Sequence, residues 1–207
     1  MPSQSIKLKV CGLRDNVIEV TDVEPDFMGF IFYKKSPRFV GEDFVMPNGI
    51  RAKKVGVFVN QSIEEVMSLK QKYQLDYLQL HGDESVDYCV ELKAVDSKII
   101  KVFAGNKPLN QEVLDSYSEF IDYYLFDTKM DKHGGNGIAF DWTNIDQLRL
   151  KKPYILSGGI SLDNVVEVSR SVNIPFAVDV NSKFEISPGL KDIKRLKELT
   201  VTLSQSK

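Results

Sequence analysis

Short apolar runs recur along the chain, each followed by a turn and most of them by a helically patterned segment. Ile6 to Val10 alternates apolar and lysine residues, as a strand does, and closes on Cys11-Gly12. Phe27 to Phe32, Lys54 to Val59, Asp76 to Leu80, Ile99 to Phe103, Ile121 to Phe126, Tyr154 to Leu156 and Phe176 to Val180 continue the series as further strands. Apolar spacing predicts helices over Asp15 to Val23, Ser62 to about Tyr73, Ser85 to Lys93, from Pro108 to about Ser118, Leu162 to Ser171 and Asp192 to Ser204. Ser62 with Glu65 three residues on reads as a capping box. The last helix carries lysine on one face and leucine on the other, so one side of it is to be buried. Tyr33 to Arg38 is a basic, proline-punctuated loop, and the stretch from there to Arg51 is weakly patterned.

The series predicts eight strand-to-helix units, about 20 to 30 residues apart, with strands short and apolar as if covered on both faces. The fold class expected is α/β, a single-domain (β/α)8 TIM barrel over residues 1–207. An open flavodoxin-like sheet has about five strands and leaves three units without a place. The barrel is small for its class, which typically needs roughly 250 residues, so its loops must be short.

Composition narrows the function. Hydrophobic residues make up 43% of the 207, enough for one well-buried core, and no linker divides the chain. Lysine and arginine total 27 against 29 acidic residues, a net charge of -2, which provides no electrostatic footprint for nucleic acid or an anionic membrane. The expected partner is a small molecule. No apolar run approaches the roughly 20 residues that span a bilayer, and Met1 to Ser5 lacks the apolar core of a signal peptide. A cytoplasmic protein is expected, with a monomer preferred to a homodimer. Cys11 and Cys89 are too few and too far apart for a disulfide framework or a zinc site, and Cys89 reads as a small core residue of a helix.

In a barrel of this kind the reacting groups lie at the strand ends, which here collect Cys11, Arg38, Asn60, His81, Asp127, the Gly158-Gly159 turn and Asp179 to Ser182. Asp127 stands where a strand gives way to the Gly134-Gly135-Asn136-Gly137 cluster, at the mouth of the expected active site; the alternative is an aspartate that caps a turn. Paired glycines after the seventh strand let backbone N–H groups approach a ligand, and the loops after strands seven and eight are the usual phosphate site. A phosphorylated substrate is implied, although Gly-Gly alone is often only a turn. Cys11 and Asp127 form the obvious acid–base pair of unlike type, with a thiolate as base and a carboxylic acid as proton donor. His81 is a rival base or simply a hydrogen-bonded histidine at a strand end. Asp179 lacks two further ligands in convincing positions, so a mechanism without metal is favoured.

With these residues placed, the chain resembles the phosphoribosylanthranilate isomerase family nearly end to end. The matching segments are Lys9-Val10-Cys11-Gly12-Leu13, Gly29-Phe30-Ile31-Phe32, Lys35-Ser36-Pro37-Arg38-Phe39-Val40, Val55 to Asn60, Leu78 to Glu84, Phe126-Asp127, Phe140-Asp141-Trp142, Ser157-Gly158-Gly159-Ile160, Asn164-Val165, Asp179 to Ser182 and Pro188 to Asp192. The resemblance implies an Amadori rearrangement of N-(5-phosphoribosyl)anthranilate without a cofactor. It implies Asp127 as general acid and Cys11 as general base. It also implies Lys9, Arg38, Gln79, His81 and Asp179 on the substrate, Arg38 by holding its carboxylate, and Gly158, Gly159, Asn181 and Ser182 around the phosphate.

The chain leaves the family pattern at Asn136, where threonine is common, and at Lys183, where glycine is common before the glutamate that is here Glu185. Lysine at that place suggests an ordinary backbone conformation. Indole-glycerol-phosphate synthases use a catalytic lysine and glutamates, and pentose-phosphate epimerases usually a metal, so Cys11 with Asp127 fits neither well. A non-catalytic barrel that binds a phosphorylated metabolite is the alternative of a different class.

Overall fold

The computed structural model describes residues 5–128, 141–168 and 171–205. Eight parallel strands close into a barrel in sequence order: β1 Lys7–Val10, β2 Phe27–Ile31, β3 Lys53–Phe58, β4 Tyr77–Leu80, β5 Ile99–Ala104, β6 Tyr123–Asp127, β7 Tyr154–Leu156 and β8 Ala177–Val180. Closure is made by β1 against β8, with Lys9 directly opposite Asp179. The helices are α1 Val17–Thr21, α2 Ile63–Tyr73, α3 Val86–Ala94, α4 Gln111–Tyr117, α5 Thr143–Asp146, α6 Val165–Val168 and α7 Ile193–Gln205. A 3-10 helix, Ser182–Phe184, and a small antiparallel pair, β9 Glu185–Ser187 with β10 Leu190–Lys191, decorate the eighth loop. The Gly134 to Gly137 cluster and Phe140 lie outside the described residues.

One expectation is corrected. The second unit has no helix: residues 32–52 run as turns and extended chain from β2 to β3. Its apolar positions have no 3.6-residue spacing, and Pro37 and Pro47 interrupt it. This segment instead packs Val40, Phe44 and Met46 against the core, and the Tyr73 hydroxyl donates to the Phe44 carbonyl at 3.1 Å.

The strands follow the apolar runs within a residue or two, because two nested cores select them. One core lies between strands and helices and takes Val10, Phe30, Phe58, Leu80, Phe126 and Val178 from the outward faces, with Leu196, Leu199 and Leu203 from α7 and Cys89 from α3. The other fills the barrel itself with Phe27, Val55, Ile100, Leu125, Ile155 and Ala177. Ser62 caps α2, its side chain accepting from Glu65 N at 3.2 Å, a contact worth about 1 kcal/mol. The Glu65 carboxylate turns to Gln61 instead, so half of the predicted box forms.

The base of the barrel repeats one device. Asp26, Asp76 and Asp122 each precede an even-numbered strand. Each donates its N–H to the carbonyl of Leu8, Lys54 or Ile99 and accepts that same residue's N–H on its carboxylate, at 3.0, 2.9 and 2.8 Å. Before β8 the place is taken by Phe176, whose N–H bonds the Tyr154 carbonyl. Its ring joins Phe27, Tyr77 and Tyr123 in an aromatic plug across the barrel floor.

Candidate active site

Alternation along the strands turns the interior from apolar to charged as it rises. Residues two apart share a face, so Lys9 and Cys11 follow Lys7 inward on the first unit, Gln79 and His81 follow Tyr77, Asp127 follows Leu125, and Asp179 follows Ala177. Asp127 is the last residue of β6, paired with Ala104, rather than the residue after the strand. Its inward direction is therefore set by the ladder.

Lys9 is fully buried and donates from Nζ to Asp179 Oδ2 at 2.8 Å. Burial works against its charge, but Asp179 and Cys11 beside it outweigh burial and lift its pKa above the ordinary lysine value. Burial likewise raises the Cys11 thiol, against the pull of Lys9 and of Lys191. Asp179 is raised by burial even beside Lys9, and its Oδ1 has no hydrogen-bond partner among the described residues. Gln79 Oε1 is in the same position, while Gln79 Nε2 lies 3.1 Å from His81 Nδ1. Two buried acceptors on inward-facing residues of β4 and β8 therefore lack a donor among the described residues, an arrangement that suits a ligand rich in hydroxyl groups.

Burial lifts Asp127 to about 6, despite the N–H of Thr128 donating to its Oδ1 at 2.7 Å and the charge of Lys9 nearby. A carboxyl group with that value holds its proton at mildly acidic pH and keeps a minor protonated fraction near neutrality. His81 Nε2 faces Asp127 Oδ2 at 3.5 Å. Burial lowers His81 to about 4, so the ring is neutral at pH 7; with Gln79 donating to Nδ1, the hydrogen on Nε2 points at Asp127. The structure makes His81 a neighbour of the acid.

Gly158 and Gly159 both take positive φ, +83° and +77°. A Cβ on Gly158 would lie 2.7 Å from Thr128 N and 3.1 Å from Asp127 Oδ1, so a side chain there would press directly on the acid. Asn164 braces this turn, accepting from Ser161 N and donating to the Gly159 carbonyl. Asn181 and Ser182 stand half-buried at the start of the 3-10 helix, and Asn181 Oδ1 accepts from Lys191 Nζ at 2.8 Å. Lys183 lies within that helix, exposed and without positive φ, as its identity suggested.

Arg38 reaches the mouth from the second loop and forks onto Glu185, with Nε 3.0 and 2.9 Å from the two oxygens and Nη2 2.8 Å from Oε2. Asn60, gathered at the mouth from sequence, serves instead to brace the loops: its N–H donates to Glu84 Oε1 and its Oδ1 accepts from Asp83 N. Glu84 is in turn paired with buried Lys101 at 2.8 Å. Sequence reasoning missed Gly29, where a Cβ would lie 2.8 Å from Cys11 Sγ, so glycine makes the room that the thiol occupies. It also gave no role to Lys191, although that residue stands in the Pro188 to Asp192 segment that resembles the family.

Comparison with known proteins shows the family. The family model for N-(5′-phosphoribosyl)anthranilate isomerases matches residues 8–201. The chain is 41% identical over 198 residues to the N-(5′-phosphoribosyl)anthranilate isomerase of Parabacteroides distasonis, covering 92% of this chain and 90% of that protein. Among solved structures, the phosphoribosylanthranilate isomerase of Thermotoga maritima superposes with a TM-score of 0.78 at 31% identity, over 96% of this chain and 98% of that one. A phosphoribosylanthranilate isomerase solved in complex with reduced 1-(o-carboxyphenylamino)-1-deoxyribulose 5-phosphate gives 0.73 at 29% identity, over 96% and 98%.

Proposed function

The chain belongs to the N-(5′-phosphoribosyl)anthranilate isomerase family, the isomerases of tryptophan biosynthesis, and from that premise we propose that Asp127 and Cys11 carry its Amadori rearrangement as general acid and general base. Asp127 protonates the furanose ring oxygen, the C1–O bond breaks, and the ring opens to an iminium. Cys11 takes the proton from C2, and the electron pair left behind neutralises the iminium to give an enolamine. Tautomerisation then yields 1-(2-carboxyphenylamino)-1-deoxyribulose 5-phosphate. Every step is a proton transfer or a bond shift within the substrate, so the reading needs no cofactor and no metal.

The observation that carries this is the raised carboxyl of Asp127 at the same mouth as Cys11, with Lys9 acting on both. The iminium formed by ring opening adds a positive charge near the thiol, alongside Lys9 and Lys191, and so favours the thiolate when it is needed. Asp179 Oδ1 and Gln79 Oε1 would accept from sugar hydroxyls, with His81 beside the reacting end. Arg38 would hold the anthranilate carboxylate, and Gly158, Gly159, Asn181 and Ser182 the phosphate. We further read the chain as one barrel domain, monomeric and cytoplasmic; among the described residues no helix is long and apolar enough to cross a membrane.

The test follows the fluorescence of the anthranilate substrate, generated in situ without added metal. Decay on adding protein is expected, and no decay would favour a binding protein over an enzyme.

A further inference from the structure

Glu185 is the most heavily engaged carboxylate at the mouth, and the steps above leave it without a part. It opens β9, with 4% of its side chain exposed, and receives Arg38 through the fork already described and Lys191 Nζ at 2.6 Å on Oε1. Lys191 is itself fully buried and spans from Glu185 to Asn181. Burial alone would raise Glu185, but Arg38 and Lys191 reverse it and hold the carboxyl below its ordinary range. Glu185 therefore stays ionised to lower pH than a free glutamate.

The edge of the guanidinium that Glu185 occupies decides what the contact does. Arginine has five N–H groups in a planar fork. The Nε–H and one Nη2–H face Glu185, which leaves the adjacent end of the fork, formed by Nη1 and the second Nη2–H, fixed in direction and with the geometry to grip a second carboxylate bidentately. With 11% of its side chain exposed, Arg38 has already lost its rotamer freedom on folding, and a ligand that meets it does not bear that cost.

We propose that Glu185 is a positioning residue for recognition of the substrate's aromatic carboxylate. It locks Arg38 by one edge and presents the other, while Lys191 holds Glu185 in place. This rests on the reading of Arg38 given above, and it makes a narrower claim. Selectivity for the carboxylate belongs to the Arg38–Glu185 unit and is not a property of the arginine charge by itself.

The test measures by calorimetry the affinities of reduced 1-(o-carboxyphenylamino)-1-deoxyribulose 5-phosphate and of its counterpart with a plain phenyl ring. Wild type is expected to prefer the carboxylate-bearing ligand by roughly 10- to 100-fold. Glu185→Gln is expected to lower that preference about tenfold while leaving affinity for the phenyl ligand nearly unchanged. A Glu185 that merely holds the loop together would weaken both ligands alike and overturn the proposal, as would a preference equal to wild type. Absence of any preference in wild type would remove the Arg38 reading and this inference together. Should Glu185→Gln fail to fold, Arg38→Lys decides: it keeps the charge beside Glu185 but has no second edge, and retention of the preference would overturn the proposal.

Discussion

At the base of the barrel, Asp26, Asp76 and Asp122 each hold a neighbouring strand by its backbone and keep their carboxylates partly in water, with side-chain exposures of 38%, 31% and 29%. At the mouth, Asp179 has 5% of its side chain exposed and its Oδ1 has no partner among the described residues, while Asp127, 24% exposed, differs from the base aspartates less in exposure than in its surroundings, which disfavour its charge. The residue type is the same, and Asp122 and Asp127 even stand at the two ends of one strand, β6. The difference lies in what surrounds the carboxylate: a satisfied, solvated aspartate contributes stability, and a desolvated one contributes reactivity at some expense of stability. The base is closed by an aromatic plug, while the mouth is lined with Lys9, Gln79 and Asp179 on the same inward register.

The largest test of this contrast is at the mouth. Cys11→Ala and Asp127→Asn are each expected to lower kcat by about 10²- to 10⁴-fold with little change in KM, since each removes a group used in the transition state. Neither variant should melt far below wild type, and Asp127→Asn, which has no buried charge to desolvate, should melt above it near pH 7. Near-native turnover in either variant would remove its assigned role.

The pH profile sharpens the same point. The transition state needs one proton on the pair, on Asp127, with Cys11 ionised; yet Asp127 titrates near 6 and Cys11 is raised above its ordinary value. The reactive form is then a minor tautomer of the singly protonated pair. Its population rises with pH up to about 6 and is level above that until Cys11 titrates. kcat/KM should therefore rise about tenfold per pH unit below the Asp127 value and plateau beyond it. A steady fall from pH 6 to 8 would mean that the thiol loses its proton first.

The same shift acts on stability with the opposite sense. Folded Asp127 has the higher pKa, so it contributes stability below the ordinary carboxylate value that is lost as pH rises through about 6. Denaturant titrations of wild type and Asp127→Asn across pH 4 to 7 should differ in slope accordingly, and parallel curves would discount the shift.

At the base the expectation reverses. Asp122→Ala strips the Ile99 N–H of its acceptor and is expected to cost about 1–3 kcal/mol, a drop of roughly 2–10 °C in melting temperature, with kcat unchanged. A stable variant with impaired turnover would contradict the division between the two ends. The smallest effect is expected at Lys183, which is exposed. Lys183→Gln should raise KM by at most about fivefold at low salt and match wild type at high salt, the behaviour of a screened surface charge near the phosphate. A ratio constant across salt would leave Lys183 as surface alone.

Periodicity is local, and what depends on it was legible in the chain. The apolar runs announced the eight strands, glycine after Leu156-Ser157 announced a close-approach turn, and Asp127 and Cys11 stood at strand ends where chemistry belongs. The missing second helix was legible too, in a segment without helical spacing that the count of units nevertheless filled. Other features depend on closure, which joins residues that no local pattern relates. Lys9 meets Asp179 across 170 positions and Arg38 meets Glu185 across 147. Lys191 joins Lys9 beside the Cys11 thiol only when the β9–β10 pair folds back on β1. Burial, and with it the raised acid at Asp127, belongs to the packed barrel alone, because the free energy of a charge is set by the medium around it rather than by its place in the chain.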